Sequence, residues 1–415
     1  MLKPGDVIPL TIEKPAAGGP MIGRHEGRVV LVSGAIPGEQ VRARLVRVAK
    51  GVAHAEAVAI VEPSPDRRVP SGDPLCGGCL YSHIAYPRQL DIKSEVIADA
   101  FTRLGRLELP ARVAVAGSPE DGYRMRARLH VRGARLGFFR EGTHDLCEPR
   151  GTRQLLPATL DALDRLMAAV RSIGADAVRE VELSENVAAS ERVVHLDASE
   201  SIDARLVNKL VSVEGLTAGP YVTDTIPIAD ASLQLRRHVL SFFQGNRYLL
   251  SSLVAHVAER VPIGGRVLDL YAGVGLFSVA AAVTRGASVT AVEGDGQASA
   301  DLHANGKAAG GQMATLRAPV ESIGAAGAGV LSHIPGMDID TVIVDPPRTG
   351  MSPEAIAAVL RVKAARLIYV SCDVATLARD ARKIVDAGYA IERADAFDMF
   401  PNTPHVETVV VFAKS

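Results

Sequence analysis

From about residue 226 onward, short apolar strands alternate with glycine turns and Ala-rich helices, and no other feature of the sequence restricts the possible folds as much. Five segments have the composition of buried strands: 266–270, 289–293, 341–345, 367–371 and 408–412. Strands that are apolar on both faces and alternate with helices form a parallel sheet covered by helices on each side. The pattern therefore predicts a doubly wound, Rossmann-like α/β domain over residues 226–415.

The first 62 residues have a different pattern. Short strand-like segments lie between Gly and Pro turns at 7–12, 27–32, 41–48 and 55–61. Within 41–48, apolar residues alternate with Arg, so we expect one face of that strand in a core and a positive charge on the other. A small barrel of short strands, as in OB-like nucleic-acid-binding modules, is the expected fold of residues 1–62.

Between these two parts, residues 63–225 form a mixed region that begins with a proline-rich linker. A helix is predicted at 88–104, and strands are predicted at 126–139 and 194–197. The sequence therefore predicts three domains, which are a barrel at 1–62, a central α+β domain at 63–225 and the α/β domain at 226–415.

Positive charge is concentrated in two stretches, although the net charge of the chain is only −1. Residues 21–50 hold six Lys or Arg against two Glu, and residues 121–150 hold seven Arg against four acidic residues. A charged stretch is usually a solvated surface, but two of them favour a polyanionic partner. No run of about 18 apolar residues occurs and no apolar leader is present, so we expect a cytoplasmic protein with no membrane partner.

A glycine turn and two acidic residues lie where this kind of sheet binds its ligands, beyond the carboxyl ends of its strands. Asp269 precedes the turn Gly273-Val-Gly275, and Glu293 ends the next strand. A dinucleotide site would need a third Gly, but Ser278 stands at that position. Because Asp269 suits a cationic ligand and Glu293 suits a ribose diol, the pattern favours S-adenosylmethionine over a plain structural turn.

Cys372 lies where a predicted strand meets a helix, at the same sheet edge as Asp345. A free Cys is most often a small buried apolar residue, but helix N-terminal amides lower the pKa of a thiol, and this position favours a nucleophile. A thiolate is needed when the carbon to be methylated is a weak nucleophile, as carbon 5 of a pyrimidine is. Arg348 stands where methylation of an exocyclic amine would favour an aromatic residue.

Addition of a thiolate to carbon 6 also requires a base that later removes the proton from carbon 5. The segment 398–408 supplies Glu407 and His405 just before the last predicted strand. Glu407 is predicted to be the base, with His405 as its orienting partner or as the alternative base. A polar turn with a surface Glu is the competing interpretation.

Taken together, these motifs resemble the RNA uracil-C5 methyltransferase family, whose members form 5-methyluridine. The segments around Cys372 and Glu407 carry most of the resemblance, and Phe243-Gln244-x-Asn246 is similar to a cofactor-contacting segment of the family. The resemblance implies a class I methyltransferase fold with S-adenosylmethionine as methyl donor. The cofactor-binding residues that it implies are Gln244, Tyr271, Gly273, Leu276, Glu293 and Asp345. Leu276 departs from the small polar residue often found there, which implies a contact through its backbone alone.

The N-terminal segment Gly34-Ala-Ile-Pro37-Gly38-Glu39-x-Val41 resembles the TRAM domain, an RNA-binding module. In the central region, segments 123–128 and 136–138 are similar to the RNA-binding β-region of the family. A TRAM domain is typical of the branch that modifies 23S ribosomal RNA, so the resemblance implies a ribosomal RNA substrate, with transfer RNA as the alternative. It also implies an enzyme that works as a monomer and does not act on DNA.

The other cysteines are placed like ligands of an iron–sulfur cluster. Relatives with a 4Fe–4S cluster carry C-x5-C-G-G-C and a distant fourth Cys, and here Pro70 occupies the first of these positions. The three matching residues, which the resemblance implies as metal ligands, are Cys76, Cys79 and Cys147. Clusters generally use four thiolates. The sequence is compatible with a cluster held by three thiolates, and also with one whose fourth ligand is Asp73 or His83.

Two other functions are compatible with parts of this pattern. An RNA cytosine-C5 methyltransferase uses the same addition chemistry, but those enzymes usually carry a further Cys near the Asp-Pro-Pro segment, and 345–348 has none. The second alternative function is that of a non-catalytic RNA-binding protein with a methyltransferase fold. The presence of both Cys372 and Glu407 argues against it.

Overall fold

A computed structural model describes residues 2–172, 177–199, 213–310, 312–324 and 338–414 of the chain. These residues form a closed barrel, a central five-stranded sheet, a two-stranded hairpin and an eight-stranded sheet. The predicted fold class, a Rossmann-like α/β domain with an N-terminal barrel and a central α+β part, is confirmed.

The N-terminal barrel consists of β1 (Val7–Pro15), β2 (Met21–His25), β3 (Arg28–Ser33), β4 (Gln40–Val48) and β5 (Val52–Glu62). It closes in the order β1-β2-β3-β5-β4. Side chains along β4 alternate between buried and exposed, because successive residues of a strand point to opposite faces. Val41 and Ala43 therefore fill the barrel, while Arg42 and Arg44 face outward, as the alternation predicted.

Helix α1 (Tyr86–Ala100) follows the linker and continues as a π-helical turn at Phe101–Gly105. The short strand β6 (Val115–Ala116) then joins the edge of the large C-terminal sheet. Ile97 and Phe101 are buried in the same core as that sheet. The segment from α1 to β6, which the sequence assigned to the central domain, thus packs on the C-terminal domain.

The central sheet consists of β7 (Arg126–Arg132), β8 (Arg135–Phe139), β9 (Leu146–Cys147), β10 (Val178–Glu185) and β11 (Arg192–Ala198). Its strand order is β11-β10-β7-β8-β9. A short helix, α2 (Pro149–Thr152), precedes α3 (Pro157–Ser172), whose apolar face packs on the sheet. The hairpin β12 (Tyr221–Ile228) and β13 (Ala231–His238) follows. The predicted boundary between residues 225 and 226 falls inside β12.

The large sheet consists of β6 and seven strands from the C-terminal part: β14 (Arg266–Leu270), β15 (Ser288–Glu293), β16 (Met313–Arg317), β17 (Thr341–Val344), β18 (Arg366–Ser371), β19 (Tyr389–Phe397) and β20 (Glu407–Lys414). Its order is β16-β15-β14-β17-β18-β20-β19-β6. The helices of this part are α4 (Leu250–Ala258), α5 (Leu276–Arg285), α6 (Gly296–Ala309), α7 (Pro353–Val362) and α8 (Val374–Asp386), with a 3-10 turn at Val320–Gly324.

The expectation of a wholly parallel sheet is wrong at one strand. β20 runs antiparallel to both of its neighbours, β18 and β19. The reason is the connection between β19 and β20, which is a loop of residues 398–406 without a crossover helix. In the described part of the chain, no helix is long and apolar enough to span a bilayer.

Candidate active site

The candidate site lies at the sheet edge where the parallel strands β15, β14, β17 and β18 end. The residues at or next to these ends are Glu293, Asp269, Asp345 and Cys372. Because β20 is antiparallel to β18, with Ser371 opposite Thr408, its first residue, Glu407, lies at the same edge. The structure therefore brings together predicted residues that are far apart in sequence.

The turn after β14 has the left-handed backbone conformation at Tyr271 (φ 60°), Gly273 (φ 56°) and Gly275 (φ 94°). A side chain at Gly275 would also meet Leu302 at 2.8 Å, so the turn requires Gly there. The amide of Gly273 donates to one carboxylate oxygen of Glu293 at 2.8 Å. These contacts fix Glu293 beside the turn, where its carboxylate can accept hydrogen bonds from a ribose diol.

Asp269 is buried, and one of its oxygens, Oδ2, accepts a hydrogen bond from the Ser278 hydroxyl. The other oxygen, Oδ1, has no hydrogen-bond partner among the described residues. Burial raises the pKa of Asp269 to about 7; repulsion from Glu293 acts in the same direction, and the Ser278 hydrogen bond opposes it. A buried carboxyl group with an unused oxygen beside a glycine turn fits a cationic ligand such as S-adenosylmethionine.

Asp345 is the second acidic residue with an unusual environment. Burial and the neighbouring Asp269 raise the pKa of Asp345 to about 7, and a hydrogen bond from Gln244 lowers it. The Gln244 amide nitrogen lies 3.5 Å from Asp345 Oδ2, so the predicted cofactor residues Gln244 and Asp345 are in contact. Leu276, by contrast, points its side chain into the apolar core. Its side chain is therefore not available to a cofactor, and the predicted backbone contact stays a prediction.

Cys372 lies between the end of β18 and Asp373, whose side chain caps α8 by accepting a hydrogen bond from the Thr376 amide at 2.9 Å. The expectation that the helix terminus lowers the thiol pKa is wrong for the free protein. Burial raises the pKa of Cys372 to about 11, and the carboxyl groups of Glu407 and Asp345 add to this rise. Desolvation of the thiolate and the nearby acidic groups therefore set the direction of the shift, against the charge of Arg348.

Arg348 is the one positive group that acts on both catalytic candidates in the part of the chain described. It hydrogen-bonds Cys372, and its charge lowers the pKa of that thiol. Burial and repulsion from Asp345 raise the pKa of Glu407 well above the usual range, and Arg348 opposes this rise as well. From the sequence, Arg348 served only as evidence against amine methylation. A cation three residues after a buried acid could also have indicated that it lowers the pKa values of neighbouring groups.

His405 lies two residues before Glu407 in sequence but differs from it in environment. Burial, with repulsion from Arg348 and Lys93, lowers the pKa of His405 to about 4, so the ring is neutral near pH 7. Its ring contacts Phe400 edge to face at 6.1 Å, and no hydrogen bond to Glu407 is found among the described residues. The predicted role of His405 as orienting partner of Glu407 thus has no hydrogen bond behind it among the described residues, and the choice of base stays a prediction.

The cysteines predicted as metal ligands do not form a cluster site. Cys76 and Cys147 are joined by a disulfide, and Cys79 is a buried free thiol whose pKa burial raises to about 12. The possible substitute ligands are also engaged, since Asp73 accepts from Arg140 at 2.6 Å and the His83 ring contacts the Ala35 carbonyl at 3.3 Å. The described residues contain no group of three or more side chains arranged to hold a metal. The residues present therefore do not fit an iron–sulfur cluster, and its prediction has no support.

Comparison with known proteins places these features in a family. The sequence profile described as tRNA (uracil-5-)-methyltransferase matches residues 185–415, and the TRAM domain profile matches residues 2–58. The chain is 32% identical to the 23S rRNA (uracil(1939)-C(5))-methyltransferase RlmD of Pseudomonas putida, over 97% of this chain and 93% of that protein. It is 29% identical to an uncharacterized RNA methyltransferase of Corynebacterium efficiens, over 100% of this chain and 96% of that protein.

Among solved structures, the chain is similar to the tRNA (uracil-54, C5)-methyltransferase of Pyrococcus abyssi in complex with S-adenosyl-L-homocysteine. The TM-score is 0.74 at 26% identity, over 98% of this chain and 100% of that one. The overall fold agrees with that solved structure, and the N-terminal barrel coincides with the TRAM profile match. The chain belongs to the RNA uracil-C5 methyltransferase family and is an S-adenosylmethionine-dependent enzyme of that family.

Proposed function

We propose that this enzyme methylates carbon 5 of one uridine in 23S ribosomal RNA through a covalent bond to Cys372. The observation that carries the proposal is the antiparallel pairing of β18 with β20, which sets Cys372 and Glu407 at one edge beside Asp345. A thiol whose pKa is raised by the charge of a neighbouring carboxyl group, next to the predicted cofactor residues, supports addition to uracil followed by elimination.

In the proposed reaction, the Cys372 thiolate adds to carbon 6 of uracil, and the electron pair of the 5,6 double bond moves to form an enolate. Arg348 favours the thiolate over the thiol at this step. S-Adenosylmethionine supplies the methyl group to carbon 5. Glu407, in the carboxylate form that the Arg348 charge favours, then takes the proton from carbon 5. The electron pair re-forms the double bond, and the bond between carbon 6 and sulfur breaks. Cys372 leaves as a thiolate and can act again.

The raised pKa of Cys372 determines when the thiolate can form during the reaction. With a pKa of about 11, the thiol is protonated near pH 7 before RNA binds. A protonated, half-buried thiol is a poor target for oxidants and alkylating agents. We infer that the thiol releases its proton to solvent only when a uracil enters the site, with Arg348 as the charge that stabilises the thiolate.

The RNA contacts are assigned to the barrel and to the surface beside the active site. Outward-facing Arg42 and Arg44 on β4 supply positive charge for phosphates, with Arg42 the stronger candidate because Arg44 lies 3.9 Å from Glu56. Phe242 is 64% exposed next to the Gln244 segment, and the Arg126 guanidinium lies 6.0 Å from its ring. An exposed aromatic ring with a neighbouring cation suits an unstacked base, which the enzyme has to expose because carbon 6 is inaccessible inside a helix. Arg128 is already paired with Glu182 at 2.5 Å and is a weaker candidate.

Ribosomal RNA is favoured as the substrate class by the relatives named RlmD and by the TRAM domain at residues 2–58. Transfer RNA is the second candidate, because the similar Pyrococcus abyssi enzyme is named for uracil 54 of tRNA. We also propose that the enzyme acts on RNA and not on DNA. A monomer suffices for the reaction, since the candidate nucleophile, base and cofactor residues all come from one chain.

The test uses purified enzyme, methyl-labelled S-adenosylmethionine, and two RNA substrates, a fragment of 23S ribosomal RNA and a transfer RNA that both lack the modification. We expect 5-methyluridine in the ribosomal fragment and none in the transfer RNA. The same ribosomal fragment carrying 5-fluorouridine should trap a covalent complex with the wild-type enzyme, because fluorine replaces the proton that Glu407 removes. Methylation of the transfer RNA alone would reject the ribosomal assignment, and failure to trap a complex would reject the Cys372 mechanism.

A further inference from the structure

The loop 398–406, which carries His405 and leads into Glu407, is held in place from outside the strands that it connects. It joins β19 to β20, and its contacts include side chains of α1, more than 300 residues earlier in the chain. Gln89 and Lys93 lie one helical turn apart on the same face of α1, and both are buried. We call these two residues the α1 anchor.

Lys93 binds the beginning of the loop. Its ammonium nitrogen lies 2.5 Å from Asp398 Oδ1 and also donates to the Phe400 carbonyl at 3.3 Å. The exposed fractions of the Lys93 and Asp398 side chains are 1% and 0%, so the ion pair is shielded from solvent. A buried ion pair adds little net stability, because desolvation offsets the attraction, but it fixes the relative positions of the two groups.

Gln89 binds the middle of the loop at Asn402. The Gln89 amide nitrogen donates to Asn402 Oδ1 at 3.0 Å, and its oxygen accepts from the Asn402 backbone amide at 3.0 Å. Asn402 has the left-handed backbone conformation, with a φ of 64°. Arg68 donates to the same Asn402 oxygen at 2.8 Å, and the Tyr81 amide donates to the Asn402 carbonyl at 2.8 Å. A strained residue five positions before Glu407 is thus held by several hydrogen bonds.

We propose that Gln89 and Lys93 are positioning residues for the removal of the carbon-5 proton, which they serve by fixing the loop that leads into Glu407. The proposal rests on the proposed role of Glu407 as the base. Cys372 is carried by a different connection, between β18 and α8. Loosening the loop should therefore affect proton removal more than addition of the thiolate or transfer of the methyl group.

The experiment compares the full-length wild type with Lys93→Met in single turnovers on the ribosomal fragment. Methyl transfer is followed with labelled S-adenosylmethionine, and proton removal is followed as tritium released from uridine labelled at carbon 5. We expect the rate ratio of proton removal to methyl transfer to fall by about tenfold or more, since small displacements of a catalytic group have effects of this size. Methylated RNA should then accumulate as a covalent complex that survives denaturing electrophoresis.

Two further variants keep the test decisive. Arg67→Met breaks another ion pair of a buried carboxylate, with Glu39 in the barrel, and should leave the rate ratio unchanged. Gln89→Leu removes the other half of the α1 anchor without leaving a buried charge. It is therefore the test variant to use if Lys93→Met does not fold. Folding is checked by circular dichroism and by binding of S-adenosylhomocysteine.

The possible results separate this inference from the proposed function. A folded Lys93→Met or Gln89→Leu enzyme that keeps the wild-type rate ratio, or that slows both steps equally, would overturn the positioning role. A wild-type enzyme that traps no covalent complex with 5-fluorouridine RNA would instead reject the mechanism on which the inference rests.

Discussion

Ser371 on β18 faces Thr408 on β20 in antiparallel register. The residue after Ser371 is Cys372, and the residue before Thr408 is Glu407, so the pairing of these two strands sets the proposed nucleophile beside the proposed base. In a wholly parallel sheet, the first residue of the last strand would lie at the opposite edge. The reversed direction of one strand is therefore what assembles the site.

Replacement of Cys372 by Ala should abolish the covalent complex with 5-fluorouridine RNA and lower the methylation rate by about a thousandfold or more, because the nucleophile is removed. The effect is measured by gel shift under denaturing conditions and by incorporation of labelled methyl groups. Binding of S-adenosylhomocysteine should be retained, which is the control for folding. A Cys372→Ala enzyme that still methylates would contradict the covalent mechanism.

Glu407→Gln keeps the size of the side chain and removes its basicity. We expect methyl transfer to continue for one turnover while tritium release from carbon 5 stops, so that a methylated RNA–protein complex persists. The complex is detected with labelled methyl groups on a denaturing gel. His405→Gln is the matched variant, and it should still release tritium; the opposite behaviour of the two variants would assign the base to His405.

Removal of the Arg348 charge should shift the pH dependence of thiolate attack to higher pH. Arg348 lowers the pKa of both Cys372 and Glu407, so in Arg348→Met both pKa values rise and both reactive forms require a higher pH. The rate of complex formation with 5-fluorouridine RNA, measured across pH 6–10, reports the thiol alone. Arg348→Lys keeps a positive charge and should shift the profile less. An unchanged profile in Arg348→Met would show that this charge does not act on the thiol.

Binding of S-adenosylmethionine should weaken as the pH falls below about 7, since the pKa of Asp269 is raised to about 7 and its carboxyl group is neutral below that pH. A neutral carboxyl group attracts a cationic ligand less than a carboxylate does. Isothermal titration in buffers of different ionisation enthalpy should show proton release on binding near pH 6. Asp269→Asn should bind more weakly and with less dependence on pH. Equal affinity of the wild type at pH 6 and pH 8 would count against this contact.

Neutral substitutions on the outer face of β4 should weaken RNA binding and reduce its dependence on salt. For Arg42→Gln with Arg44→Gln, we expect the slope of log affinity against log salt concentration to fall by about one for each phosphate that the protein no longer neutralises. Arg382→Gln, at a partly exposed Arg paired with Asp386 on α8, removes one positive charge elsewhere and is the control for each single substitution. A slope that changes only in the Arg382 variant would move the RNA-binding surface away from the barrel.

Much of the C-terminal domain could be predicted from the sequence, because buried strands and glycine turns leave a strong local pattern. Cys372, Asp345 and Glu407 could be placed on strand ends for the same reason. The direction of β20 could not be predicted. It depends on the lack of a helix between β19 and β20, and the sequence pattern of that region is weak. β6 has only two residues and leaves no periodic signal.

The electrostatic properties of the site were harder to predict than its residues. The helix terminus near Cys372 indicated a lowered thiol pKa, but the pKa of a buried group depends on all charges around it, and those come from distant segments. The buried Lys93 could not be recognised as an anchor for the same reason, because its partner Asp398 is 305 residues away. Three cysteines in a cluster-like spacing predicted a metal site that the described side chains do not form.

The strand β6 gives the large sheet an outermost strand from a segment that precedes the central sheet in the chain. Together with α1 it covers an edge and a core surface that would otherwise be open to pairing with other molecules. The catalytic unit is thus discontinuous in sequence, and the central sheet is an insertion within it. Exchange of the catalytic part alone would therefore require cutting the chain at two places.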